Sequence, residues 1–509
     1  MKYLRIISSI TAVFSSLNPL ASNAYDVNSK YRPQFHFTPK RNWINDPNGL
    51  VYYKGEYHLF FQYNPEGTSW GHMSWGHAVS TDLFHWNELP VAIPEDENSF
   101  IFSGSAVIDE NNTAGFGKDA MVAIYTSASK ENPGIQSQSI AFSTDKGRTF
   151  TKYTGNPVLD LGMKNFRDPK VFWDEERSRW VMVIAKSTEH KVSIFTSYNL
   201  KNWKFESDFG LDGNVNGIWE CPDLFPLTLN GETVWVLTLS FNPGGLYGGS
   251  GSQYVMGDFD GSFFKPRNNN KEFNWLDYGQ DNYASVTFNN LLDGRRIMIG
   301  WMSNWQYANK LKTTAWTGAM TVPHELNLIK KGDQFKLIHK PVSEINTLRS
   351  KKLLSITKQK VSKNLKLKKL SGNQLDISFT ITPGITSKAG IRVLESSDEF
   401  TEIGYDTKSK SLYIDRSSTS KSETNADLGG IQSYPTSLKN GSITLRILVD
   451  RSSVEVFTLD GLGVITDLAM PDNNASTSSS LFAVGGQALF TDFVAYELKS
   501  ALSQLKYPA

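Results

Sequence analysis

The chain has 509 residues, more than one ordinary hydrophobic core holds, so its length predicts two domains. Its 52 Lys and Arg stand against 51 Asp and Glu, a balance that excludes a global field for gathering nucleic acid or an anionic membrane. Aromatics make up 12% of the residues, and the apolar runs are short and broken by Gly, Asn, Asp and Pro, which predicts mostly β structure.

Residues 1–24 read as a secretory signal. Lys2 and Arg5 supply the positive start, Ile6 to Phe14 the apolar region, and Ser22-Asn23-Ala24 the small residues before cleavage. The apolar run is too short to span a bilayer, and no later segment resembles a membrane helix, so no membrane partner is expected. Cys221 is the one cysteine, which rules out an intramolecular disulfide. It reads as a buried structural thiol, because no repeat places a histidine beside it as a nucleophile requires. Asn111, Asn440 and Asn474 sit in glycosylation sequons that matter only in a host that glycosylates.

Next along the chain comes a carboxylate beside a proline, Asp46-Pro47, in Trp43-Ile44-Asn45-Asp46-Pro47-Asn48-Gly49. A strand-turn-strand pattern follows it, through Leu50-Val51-Tyr52-Tyr53 and Tyr57-His58-Leu59-Phe60-Phe61. The arrangement recurs at Phe166-Arg167-Asp168-Pro169 and at Trp219-Glu220-Cys221-Pro222. Two more units, starting near Ser103 and Tyr283, fit the template without a carboxylate. A polar turn followed by an aromatic trails four of the units, as in Ser80-Thr81-Asp82-Leu83-Phe84-His85-Trp86 and Ser143-Thr144-Asp145-Lys146-Gly147-Arg148-Thr149-Phe150, and predicts a hairpin between two outer strands. Four strands per unit and a period of roughly 50–65 residues predict a β-propeller. Five units place an all-β, five-bladed β-propeller over residues 32–342, with the first strand of each blade lining the channel and the three acids meeting at one mouth.

A short helix is expected over Pro341 to Ser350. Residues 343–369 then form a linker and the start of the second domain; the lysine-rich stretch Lys351 to Lys369 reads as a solvated linker or strand face. Regular short strands over 370–509, among them Leu375 to Ile381 and Ile443 to Val449, predict a C-terminal β-sandwich.

Two carboxylates across a glycosidic bond are the usual equipment of a glycosidase. Asp46, between Asn45 and Asn48, is expected to be held ionised by amide donors, as a nucleophile requires. Glu220, between Trp219 and Cys221, is expected to sit among apolar groups, as a general acid requires. Asp168 follows Arg167 and is expected to stay charged through it and to stabilise a cationic transition state. Taken singly, each has a plainer reading: a turn, an ion pair, a surface acid. Their shared place in three repeats is what argues for a site. Trp70 and Trp301, each beside a glycine, are the aromatics expected in the pocket; Gln62 can exchange hydrogen bonds with hydroxyls. His72, His77 and His85 fit no usual zinc spacing and read as structural, so no metal is expected.

These motifs resemble the three signature motifs of glycoside hydrolase family 32, which contains invertases, exo-inulinases and levanases. Supporting matches are Phe61-Gln62-Tyr63-Asn64-Pro65, Trp75-Gly76-His77, Phe102-Ser103-Gly104-Ser105, Gly300-Trp301-Met302-Ser303-Asn304-Trp305 and Val449-Asp450-Arg451-Ser452-Ser453-Val454-Glu455-Val456-Phe457. The resemblance implies a retaining mechanism on terminal β-fructofuranosyl units, with Asp46 as nucleophile, Glu220 as acid/base and Asp168 as transition-state stabiliser. It implies that Asn45, Gln62, Trp70, Ser103, Arg167 and Trp301 line the fructose pocket, and that the nucleophile and acid lie roughly 5–5.5 Å apart. It implies no metal and no organic cofactor. Phe241 to Ser250 looks like a loop of microbial exo-acting members, so sucrose, inulin and levan are the expected substrates. The chain departs from the family pattern at His324, where Arg is usual. Two other readings stay open: a fructosyltransferase on the same scaffold, and a non-catalytic carbohydrate-binding propeller. The sandwich is read as a stabilising or homo-oligomer-forming domain.

Overall fold

The computed structural model describes residues 26–211, 213–267, 274–311, 313–419, 428–473 and 476–502. The expected signal segment and the sequon asparagine Asn474 lie outside them. Residues up to Pro341 form five sheets, the blades, each built on four antiparallel strands, with a fifth short strand added to blades one and four. Their first strands are Asn42–Tyr53, Ser99–Asp109, Phe166–Asp174, Ile218–Leu229 and Tyr283–Thr287. Each packs beside the next, and the fifth packs back against the first, so the ring closes. Two ties complete the closure: Asn289 and blade one exchange backbone hydrogen bonds through Leu50 and Tyr52, and Trp316–Thr317 pairs in parallel with Asn42 and Trp43.

Alternation within strands drives the packing. Each strand sends alternate side chains to opposite faces, and neighbouring blades bury theirs against each other. Val51, Phe60 and Trp75 of blade one meet Ile101, Met121 and Tyr125 of blade two. Val181, Val183 and Ile194 of blade three meet Trp219, Leu237 and Leu239 of blade four. The polar turns recur with one chemistry. Asp82, Asp145, Asn199 and Asp260 each accept backbone N–H groups two or three residues on, which fixes the outer hairpins.

Every first strand carries a β-bulge at the same level. The extra residue lies between Ile44 and Pro47, Phe102 and Gly104, Arg167 and Lys170, Glu220 and Asp223, and Tyr283 and Val286. Proline sits in the bulge in blades three and four and closes it in blade one; it has no N–H to give the ladder and is tolerated in a sheet at such a break. Asp168, Cys221 and Ala284 take positive φ there (65°, 47° and 54°), which re-aims the neighbouring side chains toward the channel mouth.

Below the bulges the axis is filled. Asn289 of blade five donates to the carbonyls of Ala106 and Val171, and Lys170 lies 3.3 Å from Asp223 and donates to the Thr287 carbonyl. The expected short helix is a 3-10 turn, Ser343–Leu348. Beyond it two six-stranded sheets face each other around Ile377, Phe379, Ile391, Ile403 and Ile447. The lysine-rich stretch lies mostly in two edge strands, Arg349–Val361 and Leu365–Ser371, with its lysines exposed, which guards open sheet edges. Among the described residues no helix is long and apolar enough to cross a membrane.

Candidate active site

The bulges bring the three acids to one cavity of about 380 Å3 at the channel mouth. Its lining includes Asn45, Asp46, Gln62, Trp70, Ser103, Arg167, Asp168 and Glu220. Another cavity, of about 310 Å3, opens at the opposite end of the channel and holds none of the three acids.

Asp46 accepts hydrogen bonds from Ser103 Oγ at 2.7 Å and Asn45 Nδ2 at 3.0 Å; Asn45 is itself held by Trp43 Nε1 at 2.8 Å. Asn48, expected to be a second amide donor, is not one: its side-chain amide has no hydrogen-bond partner among the described residues. The bulge between them breaks the strand's alternation, so the two residues no longer share a face. Burial, and then the nearby charge of Glu220, push the Asp46 carboxyl above the ordinary carboxylate range, against the pull of Ser103 and Asn45. That corrects the expectation of an acid held low by amides.

Glu220 is not set among apolar groups. Trp219 points the other way, into the core between blades three and four, with Nε1 on the Asn214 carbonyl at 2.7 Å. One Glu220 oxygen accepts from Arg167 Nε and Nη2 at 3.0 and 2.9 Å, and the other accepts from the Tyr283 hydroxyl. The guanidinium of Arg167 is steadied in turn by Gln136 and Asn165. Burial disfavours its charge, but Glu220 and Asp168 outweigh that and hold it protonated.

Asp168 is only loosely paired with its sequence neighbour, 3.9 Å from Arg167 Nε, because Arg167 gives its hydrogen bonds to Glu220, Gln136 and Asn165. The closer donor is the backbone N–H of Cys221 at 3.0 Å. Burial raises the Asp168 carboxyl; Arg167 opposes this, and the charges of Glu220 and Asp46 add to it. Cys221 is buried, its Sγ 3.5 Å from Asp46 and 3.7 Å from Asp168, and burial among these acids keeps it a thiol.

Trp70 stands at the rim, 45% exposed. Gln62 donates to the Ile101 carbonyl at 3.1 Å. Trp301 departs from expectation: it is fully buried against Trp43, Tyr283 and Trp305, and Trp305 lines the cavity in its place, together with Trp70. Sequence reasoning also missed Phe102, Gln136, Asn165, Asn309 and Tyr283. Tyr283 left a signal, since it opens the fifth repeat, and so did Phe102, which stands in the Phe102-Ser103-Gly104-Ser105 match. His77 is buried against His58, while His85 pairs with Asp82. His72 lies between Glu95 and Glu66, and Glu95 is also bound by Lys130 at 2.6 Å, so that group forms an ion-pair network. His324 faces Glu455 of the sandwich at 3.6 Å.

Comparison with known proteins agrees with this architecture. The chain matches the glycosyl hydrolases family 32 N-terminal domain over residues 36–341 and the family's C-terminal domain over residues 344–497. It is 46% identical to a levanase of Bacillus subtilis (strain 168), covering 96% of this chain and 73% of that one. It is 40% identical to an extracellular exo-inulinase of Aspergillus ficuum, covering 91% and 94%. Its fold is similar to the crystal structure of exo-inulinase from Aspergillus awamori, with a TM-score of 0.89 and 36% identity over 94% of this chain and all of that one. It is also similar to β-fructofuranosidase from Schwanniomyces occidentalis complexed with fructosyl-erythritol, at a TM-score of 0.84 and 35% identity over 93% and 99%. On repeats, fold and sequence together, the chain belongs to glycosyl hydrolase family 32.

Proposed function

We propose that the chain is a secreted, retaining, exo-acting β-fructosidase that hydrolyses terminal β-D-fructofuranosyl units of sucrose and of inulin- and levan-type fructans. The observation that carries this reading is the meeting of Asp46, Asp168 and Glu220 in one cavity above a filled channel. Such a cavity takes the end of a chain. The named relatives, a levanase and exo-inulinases, support the same substrate class.

In this mechanism Asp46 attacks the anomeric carbon of the terminal fructosyl unit, and Glu220 protonates the departing glycosidic oxygen. The bond to the leaving sugar breaks as the bond to Asp46 forms. Water then enters on the same face, gives its proton to Glu220 and displaces Asp46, so configuration is retained. Asp168, anchored by the Cys221 N–H, accepts hydrogen bonds from sugar hydroxyls and stabilises the cationic transition state. Asn45, Gln62, Ser103 and Arg167 hold the acids and the sugar, and Trp70 packs on the C–H face of the substrate at the rim. The basic, apolar and small-residue sequence of residues 1–24 carries the proposed export, as in relatives named extracellular.

Product analysis of purified protein on sucrose, inulin and levan tests the reading, alongside Asp46→Ala and Glu220→Ala. Free fructose from wild type and its loss in both variants supports it. Oligosaccharides as the main product at high sucrose would reassign the enzyme to transfer. Undiminished cleavage by Asp46→Ala would overturn the mechanism.

A further inference from the structure

We infer that Arg416, a residue of the second domain, positions the wall of the catalytic pocket formed by Trp305 and Asn309. Both side chains line the cavity, and Asn309 Oδ1 also accepts the Trp70 N–H at 3.2 Å. Both sit in the connection that follows the strand Arg296–Trp301 of blade five; the stretch that holds them contains a 3-10 turn, Ala308–Lys310, and the two-residue strand Trp316–Thr317 lies beyond it. From Trp305 to Asn309 the chain joins no strand ladder and takes its shape from what it is tied to.

Part of the tie is local. Trp305 N–H donates to Ser250 Oγ at 3.1 Å, and Asn304 Nδ2 donates to the Gln280 carbonyl at 2.8 Å. The remainder crosses to the other domain. Between the two pocket residues Tyr307 turns inward, 1% exposed, and its hydroxyl donates to Asp281. The other Asp281 oxygen accepts from Arg416 Nη1 at 3.0 Å and from the Leu468 N–H at 2.8 Å. Arg416 is 1% exposed, and it also donates to the Leu468 carbonyl at 2.6 Å and to the Gln280 side chain. Leu428, Leu468 and Met470 of the sandwich pack with Tyr307 and complete the anchor.

The spacing makes this connection specific to the pocket. Tyr307 lies two residues after Trp305 and two before Asn309, so releasing its hydroxyl frees both ends of the wall together. Arg416 is also the guanidinium that compensates Asp281, with Asp467 3.6 Å away. Losing it strands buried acids, and Tyr307 then points at a site that rearranges. Arg416 touches no substrate; it acts through Asp281 and Tyr307.

The test rests on the β-fructosidase reading for its kinetic arm, so a binding arm runs beside it. Tyr307→Phe removes only the hydroxyl link, Arg416→Lys keeps the charge without the fork, and Arg416→Gln removes both. All are compared with wild type, below the lowest melting temperature, for sucrose KM and kcat and for the tryptophan fluorescence change on titration with fructose. The expected result is a KM higher by about 3–10-fold with kcat within about twofold, the cost of one loosened contact. Fructose binding weakens in parallel, and Arg416→Lys lies between wild type and Arg416→Gln. Variants that melt earlier but keep wild-type KM and fructose affinity overturn the inference and leave Arg416 as a purely stabilising residue. A wild type that binds fructose without cleaving sucrose refutes the functional reading, and the fructose titration alone then decides the role of Arg416.

Discussion

Arg167 donates twice to a single oxygen of Glu220, across the gap between blades three and four. Tyr283 of blade five takes the other oxygen, so a residue from each neighbouring blade sets the plane of this carboxyl. Lysine offers a point charge in place of the planar fork. Arg167→Lys is expected to lower kcat by about 100-fold through misplacement of the acid, with the melting temperature close to wild type. Unchanged kcat on sucrose would show that Tyr283 alone orients Glu220.

Ser103 opposes the upward pull of burial on Asp46. The nucleophile must be ionised, so activity falls on the acid side as Asp46 takes up a proton. Removing the hydroxyl removes a bond that favours the charged form. In Ser103→Ala the acid limb of kcat/KM is expected to move to higher pH, with the basic limb unmoved. A pH profile of initial rates on sucrose checks this; an acid limb that stays put assigns the limb to another group.

Burial of a charged Asp46 costs the fold stability, because its carboxyl is raised in the native state. Sign follows from linkage: a raised carboxylate binds its proton more tightly when folded, so stability is lost as pH rises and the group ionises. Asp46→Asn keeps the shape without the charge. It is expected to lose activity on the order of 10^3-fold or more and to melt higher than wild type at neutral pH. The gain should shrink as pH falls into the ordinary carboxylate range. Thermal denaturation of both proteins across pH decides the point, and a lower melting temperature at neutral pH contradicts it.

The domain interface holds a second titrating group. His36 is fully buried between Asp450 at 2.8 Å and Glu455 at 2.8 Å, with His324 across Glu455. Burial alone would lower its pKa, but hydrogen bonds and charge from the two acids raise it from 6.5 to about 9. A raised histidine contributes stability that is complete below about 6.5 and fades as pH climbs through about 9, up to about 3 kcal/mol in all. Wild type is expected to lose stability between these pH values, and His36→Gln to be weaker throughout with a flatter dependence. Parallel denaturant titrations at the two extremes measure it; equal slopes for both proteins would remove His36 as the source.

The repeats were legible because proline is a poor member of a sheet. An acid with Pro one or two residues on, three times over, marks a bulge on an inner strand, and a bulge is where a β-sheet re-aims a side chain. The polar turns were legible for a similar reason, since Asp and Asn close them on their own backbone. The environment of each acid was not. Asn48 and Trp219 are sequence neighbours of Asp46 and Glu220, yet strand alternation and the bulge send them elsewhere. The true neighbours, Ser103 for Asp46 and Arg167 and Tyr283 for Glu220, come from other blades and are far apart in the chain. Trp301 and Trp305 show the same limit. Both stand near the pocket mouth, and only the path of the loop after Trp301 decides which indole meets the cavity.

Five bulges at one height make five equivalent sockets around a single point. Three hold carboxylates; the sockets of blades two and five hold Ser103 and Tyr283. The ring that supports them is built from outer strands and inter-blade cores that take no part in the chemistry. A substitution in one socket therefore changes what converges on the substrate while the scaffold stays as it is. Blades two and five are the places where such a scaffold has room to acquire a different acid strength, acceptor or substrate without refolding.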